Sequence, residues 1–88
     1  MIKILFVCMG NICRSPSAEG FFKNELKRSS VDGEVVTDSA GTHSYHVGHS
    51  PDPRATSTAA EFGVDISALR ARKVRESDFH EFDLIIAM

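Results

Sequence analysis

Apolar positions along this chain fall into three short blocks separated by longer amphipathic stretches. Ile2 to Val7 is almost continuously apolar, broken only by Lys3. A strand covered on both faces reads this way, as in a parallel sheet. From about Pro16 to Lys27 the spacing turns helical. Ala18, Phe21, Phe22 and Leu26 make an inner stripe, and Lys23, Glu25 and Lys27 face water. Ser29 to Glu34, with Asp32-Gly33, reads as a turn. Val35-Val36-Thr37 is a second strand that closes at Ser39, and Ala40 to Pro51 is a long loop with glycines and histidines. Asp52 then caps a second helix, with Pro53 at its first position, Ala55, Ala59, Ala60 and Phe62 inside, and Gly63 as the stop. Ile66 to Val74 is irregular or a short helical turn, Ser77 to Phe82 a short helix, and Leu84 to Ala87 a third strand.

Strand, helix, strand, helix, strand is the pattern of a doubly wound α/β fold, a parallel sheet layered between helices with right-handed crossovers. The expected spatial order is second, first, third, with the first strand central. Ligands of such sheets bind beyond the carboxyl ends of the strands. The residues after Val7 lie there.

Composition narrows the class. With 88 residues, 42% hydrophobic and 25% charged, the chain is expected to form one small globular domain over 1–88. A net charge of −2 gives no case for bulk electrostatic binding to nucleic acid or acidic membranes. No apolar run approaches the roughly 20 residues of a membrane span, and the N-terminus lacks a signal-peptide pattern. The expected location is the cytoplasm. The two cysteines, Cys8 and Cys13, then read as reactive thiols rather than a disulfide framework. Zinc is not expected, because no second pair of ligands stands at a suitable spacing. His43, His46 and His49 would share a face only in a helix, which Gly48 and Pro51 oppose, so they read as solvated loop histidines.

The chemistry concentrates in Cys8-Met9-Gly10-Asn11-Ile12-Cys13-Arg14-Ser15-Pro16. This stretch links the first strand to the first helix. A thiol and a guanidinium stand at its two ends, with the N–H groups of Met9, Gly10, Asn11, Ile12 and Cys13 between them. A loop entering a helix N-terminus turns such groups into an anion-binding nest, and the helix dipole reinforces it. Arg14 can grip two phosphate oxygens with its planar fork. Cys8 at the base of that field is an activated nucleophile. Gly10 and Asn11 tolerate left-handed backbone, Ser15 suits an N-cap and can donate to the Cys8 sulfur, and Pro16 suits the first helical position. Arg70, Arg72, Lys73 and Arg75 form a basic run that reads as a solvated face.

Cys8 to Glu19 resembles the signature of the low-molecular-weight protein tyrosine phosphatases. Asp38-Ser39-Ala40-Gly41-Thr42, Pro51-Asp52-Pro53-Arg54-Ala55 and Phe82-Asp83-Leu84-Ile85-Ile86-Ala87-Met88 match the same family in order. The resemblance implies hydrolysis of aryl phosphates, phosphotyrosine in proteins above all, through a phosphocysteine on Cys8, without a cofactor or metal. Arg14 and the loop amides would hold the transferring phosphoryl group, and Ser15 and Asn11 would support the thiolate and the loop. Ser39 would hydrogen-bond Asn11. Tyr45 reads either as a wall for the phosphotyrosine ring or as an exposed loop aromatic. Cys13 is a candidate disulfide partner for Cys8 under peroxide.

The family continues past this point with a fourth strand and a final helix, and the loop between them carries the acid that protonates the leaving group. The chain is therefore expected to be C-terminally incomplete, with that acid beyond Met88 and Asp52 only a cap. The uncovered third strand would favour self-association. Three alternatives share the loop chemistry. An arsenate reductase needs further cysteines, and none stands between Ile66 and Met88. An arginine phosphatase carries threonine at the position of Ile12. A phosphate-binding module would bind without turnover.

Overall fold

A computed structural model describes residues 1–29 and 33–88. Asp32, in the expected turn, lies outside the described residues. The elements run β1 (Ile2–Cys8), α1 (Arg14–Lys27), β2 (Val35–Gly41), α2 (Pro53–Glu61), α3 (Asp78–Glu81) and β3 (Leu84–Ala87). The strands form one parallel sheet in the order β2-β1-β3. The α/β class and the central first strand are as the apolar blocks indicate.

Side chains alternate across a strand, and this alternation sorts both cores. Leu5 and Val7 face one way, where with Ala40 they meet Val74, Phe82 and Ile85. Phe6 faces the other way, against Phe22 of α1, with ring centroids 5.8 Å apart. The register pairs Phe6 with Ser39, Val7 with Ala40 and Cys8 with Gly41. Ser39 therefore shares the α1 side of the sheet, and Asp38 faces the opposite layer. A smaller core of Ala59, Val64 and Ile66, with Ala55 and Leu69, packs between α2 and α1. Gly20 of α1 makes room for it, since a Cβ there would strike Ile66 Cγ2 and come within 3.2 Å of Val64 Cγ1.

Three local expectations change. Ser15 does not cap α1: the helix begins at Arg14, with Cys13 as the capping residue, and Ser15 is fully buried within the first turn. Pro16 consequently falls third in the helix, where its missing N–H still lacks an intrahelical partner. Strand β2 runs two residues past Ser39, because Gly41 pairs with Cys8. Ala60 is exposed, and Phe62 is not inside α2. It is 68% exposed and meets Phe21 edge-on at 5.9 Å, while Val64 and Ile66 take the interior after the Gly63 turn at φ 77°. Asp52 does cap α2, accepting from the N–H groups of Arg54 (3.1 Å) and Ala55 (3.2 Å). Among the described residues no helix is long and apolar enough to cross a membrane.

Candidate active site

The loop from Met9 to Cys13 is built by tying its carbonyls outward. Cys8 O accepts from Thr42 N–H at 2.9 Å, Met9 O from His43 N–H at 2.9 Å, and Ile12 O from Asp52 N–H at 2.7 Å. In a trans peptide the C=O and N–H point in opposite directions. Anchoring those carbonyls to the chain after β2 and to the start of α2 therefore turns the next N–H groups, of Met9, Gly10 and Cys13, inward. Asn11 supplies the sharp bend with φ 58°, the one positive φ outside glycine among the described residues. Its N–H donates to Cys8 Sγ at 3.2 Å. Gly10, by contrast, does not use left-handed backbone. Its lack of a side chain serves a close approach, because a Cβ there would stand 3.0 Å from His46 Cδ2.

Cys8 is buried at the end of β1, with Sγ 3.0 Å from Ser15 Oγ. Ser15 Oγ already accepts from Asn11 Nδ2 at 2.8 Å, so its own hydrogen is directed at the sulfur. Burial pushes the Cys8 thiol up, but the Ser15 hydroxyl and the N–H groups of Ser15, Asn11 and Cys13 outweigh burial and hold it below its ordinary value. Arg14 opens α1 at the far end of the loop. Its exposed side chain has no hydrogen-bond partner among the described residues, which leaves its fork open to an anion. Cys13 is exposed and Cys8 buried, both as free thiols. Ile12 is half-buried.

The expected bond between Ser39 and Asn11 is not made. Ser39 Oγ donates to Glu19 Oε1 at 2.6 Å. Ser39 sits two residues before the end of β2, so it reaches the second turn of α1 rather than the loop. Asn11 Oδ1 instead accepts from Arg72 N–H at 2.9 Å. Nor is Arg72 part of a solvated face. Its guanidinium lies between Asp38 Oδ2 (3.1 Å) and Asp78 Oδ2 (2.9 Å), and Asp78 is fully buried. Sequence reasoning missed Glu19, Arg72 as a half-buried partner, and Asp78. Glu19 had a signal, four residues after Ser15 on the same helical face. Arg72 had none toward Asp38, its partner 34 residues away in sequence.

Tyr45 is 73% exposed and lies in the segment that rims the loop, stacked on His43 with centroids 5.2 Å apart and edge-on to His46 at 6.5 Å. A groove of about 400 Å³ leaves the loop at Cys13 and runs between α1 and α2, past Phe21, Ala55 and Ala59. Among the described residues no cluster of three metal-ligating side chains is present.

Inward N–H groups, an open guanidinium at the rim and, at the base, a thiol held below its ordinary range form a pocket whose donors suit a tetrahedral oxyanion. Comparison with known proteins agrees with that class. The family described as low molecular weight phosphotyrosine protein phosphatase matches residues 3–88, and the chain belongs to this family. The Schizosaccharomyces pombe low molecular weight phosphotyrosine protein phosphatase is 48% identical over 88 residues, covering 99% of this chain and 56% of its own length. The Bacillus subtilis low molecular weight protein-tyrosine-phosphatase YfkJ is 41% identical, and its crystal structure superposes with a TM-score of 0.97 over all of this chain and 55% of that one. A Drosophila arginine phosphatase matches with a TM-score of 0.90 at 39% identity, over 99% of this chain and 54% of its own. The chain thus spans about half the length of the relatives it matches.

Proposed function

We propose that this chain carries the phosphate loop and nucleophile of a cysteine-dependent phosphatase acting on phosphotyrosine in proteins and on small aryl phosphates. The observation that carries this reading is the Cys8 sulfur, held by the Ser15 hydroxyl and the Asn11 N–H at the base of the loop. Cys8 Sγ attacks phosphorus in line, the S–P bond forms, and the bond from phosphorus to the aryl oxygen breaks. The N–H groups of Met9 to Cys13 and the Arg14 fork hold the three equatorial oxygens, where the transition-state charge lies. Water then cleaves S–P, releasing phosphate and restoring the thiolate.

The leaving phenol needs a proton from a carboxylic acid. Asp52 is the acid tied to the loop through its backbone, but its Oδ2 is engaged by the Arg54 and Ala55 amides. Ile12, apolar at the loop's outer turn, favours an aryl ester over phosphoarginine. Tyr45 offers its exposed ring as the wall for the aryl group. Two free thiols suit a reducing compartment such as the cytoplasm. Strand β3 is bonded on one side only among the described residues, and Leu84 is half exposed, so association of the isolated chain through that edge is expected and sedimentation checks it.

The test sets phosphotyrosine peptide, phosphoarginine and arsenate beside one another as substrates, for the wild type, Cys8→Ser and Arg14→Lys. Turnover of the aryl ester, abolished by Cys8→Ser while vanadate still binds, and severely reduced by Arg14→Lys, is the expected result. Preferential release from phosphoarginine, or turnover surviving Cys8→Ser, overturns the assignment.

A further inference from the structure

Arg72 lies outside the phosphate loop, yet its backbone and side chain serve two different structures. Its N–H is the group that holds Asn11 Oδ1. Its carbonyl accepts from Gly41 N–H at 2.8 Å, at the end of β2 beside the loop. The neighbouring Val74 N–H returns to Gly41 O, also at 2.8 Å. The strip around Arg72 belongs to no helix or full strand; its backbone is tied by Ala71 N–H to His49 O at 2.9 Å, by Gly48 N–H to Ala71 O at 2.8 Å and by a parallel bridge between Lys73 and Gly41. The guanidinium adds the side-chain anchor of that strip. Nε and Nη2 reach Asp38 Oδ2 at 3.3 and 3.1 Å, and Nη1 and Nη2 reach Asp78 Oδ2 and Oδ1 at 2.9 and 3.1 Å. Asp78 in turn accepts from Arg75 N–H at 2.7 Å. The side chain thus fastens an irregular strip to β2 on one side and to α3 on the other.

We propose that Arg72 is a positioning residue: the clamp of its guanidinium between Asp38 and Asp78 sets the backbone N–H that holds the Asn11 side chain, and through Asn11 sets the geometry around Cys8. The relay runs in bonds of ordinary length. Asn11 has one left-handed φ to maintain. With Oδ1 fixed by Arg72, its Nδ2 is delivered to Ser15 Oγ and its backbone N–H to Cys8 Sγ. If Oδ1 is released, Ser15 Oγ loses the donor that commits its hydrogen to the sulfur. A guanidinium that never touches phosphate then governs how much thiolate is present. A lysine cannot replace it, because two carboxylates on different elements need a planar fork. This inference rests on the phosphatase reading only for its consequence in turnover. Its geometric content concerns the thiol alone.

The test reads Cys8 directly, by the rate of alkylation with iodoacetamide against pH in the 88-residue chain. The mild variant is Asp38→Asn, since that side chain is 45% exposed and Asp78 keeps its partner. Arg72→Met and Arg72→Lys complete the series. The other charged or titratable groups on the elements around the loop are Arg14, His43, His46, Asp52 and Glu19, and all stay in place. Asp38→Asn is expected to slow alkylation at mildly acidic pH by about 2- to 30-fold, the range for coupling through residues that touch neither partner. Arg72→Met should slow it more, with Arg72→Lys restoring little. Asn11→Ala should slow it as well, and the double variant Asn11→Ala/Asp38→Asn should be no slower than Asn11→Ala alone, because both act along one route. A role in fold stability alone predicts lowered thermal midpoints with an unchanged alkylation profile. That result for the folded Asp38→Asn chain, or full additivity in the double variant, overturns the proposal. A wild type that alkylates fast at low pH yet hydrolyses no aryl phosphate counts against the phosphatase reading and leaves the clamp standing.

Discussion

Gly41 separates the chemistry of the loop from the stability of the sheet. It ends β2, pairs with Cys8, and is bonded to Arg72 O and Val74 N on its other side. A Cβ at this position would stand 2.8 Å from Met9 O and 3.1 Å from both Asn11 N and Gly10 C. All three are backbone atoms of the phosphate loop and cannot rotate away. Ordinary carbon contacts begin near about 3.5 Å, so Gly41→Ala forces the loop outward by roughly half an ångström or more. Overpacking of this kind costs about 1–3 kcal/mol, equivalent to roughly 4–20 °C in thermal midpoint for a chain of this size. The functional loss should be larger than that stability loss suggests, since misplacing reacting groups by about 1 Å costs on the order of 100-fold in rate. Gly20→Ala is the control. Its Cβ meets Ile66 and Val64, in the small core away from the loop. It should lower the thermal midpoint while leaving Cys8 alkylation unchanged. Thermal melts, iodoacetamide alkylation and aryl phosphate hydrolysis on both variants decide the matter. A Gly41→Ala chain with wild-type alkylation and vanadate affinity would refute the account of how β2 shapes the loop.

Ser15→Ala removes a hydrogen bond to a charged group, worth about 1.5–3 kcal/mol, so alkylation of Cys8 below neutral pH should fall roughly 10- to 100-fold; an unchanged rate would mean the loop amides suffice. Burial alone would raise the Asp78 carboxyl, but Arg72 and the Arg75 N–H outweigh it and hold it below the ordinary range. Its stabilisation is therefore complete above the unfolded carboxyl's value of about 3.9 and lost as pH falls through the lower folded value. Asp78→Asn should destabilise at neutral pH by about 3–5 kcal/mol and flatten the acid limb of denaturant midpoint against pH, and an acid limb as steep as wild type would be evidence against it. Peroxide should join Cys8 to Cys13 reversibly, as mass mapping before and after dithiothreitol will show; over-oxidation of Cys8 alone would count against the link.

Much of the site was legible in the chain itself because it is local. Cys8 through Ser15 is one strand-to-helix connection, and residues that close in sequence cannot help meeting. The apolar blocks likewise sufficed for three parallel strands with the first in the centre, since a run such as Ile2 to Val7 demands cover on both faces. Asp52 capping α2 and Gly63 ending it depend only on neighbouring backbone. What needed the tertiary structure was every contact that spans elements. The partner of Ser39 depended on the register of β2 against β1, and a strand two residues longer than expected handed it to Glu19. Gly10 looked like a bend and is a clearance for His46, which arrives from 36 residues away. Arg72 looked like one of four solvated cations. Only folding brings Asp38 and the buried Asp78 to it, because a charge can leave water at low cost only where partners from other parts of the chain converge.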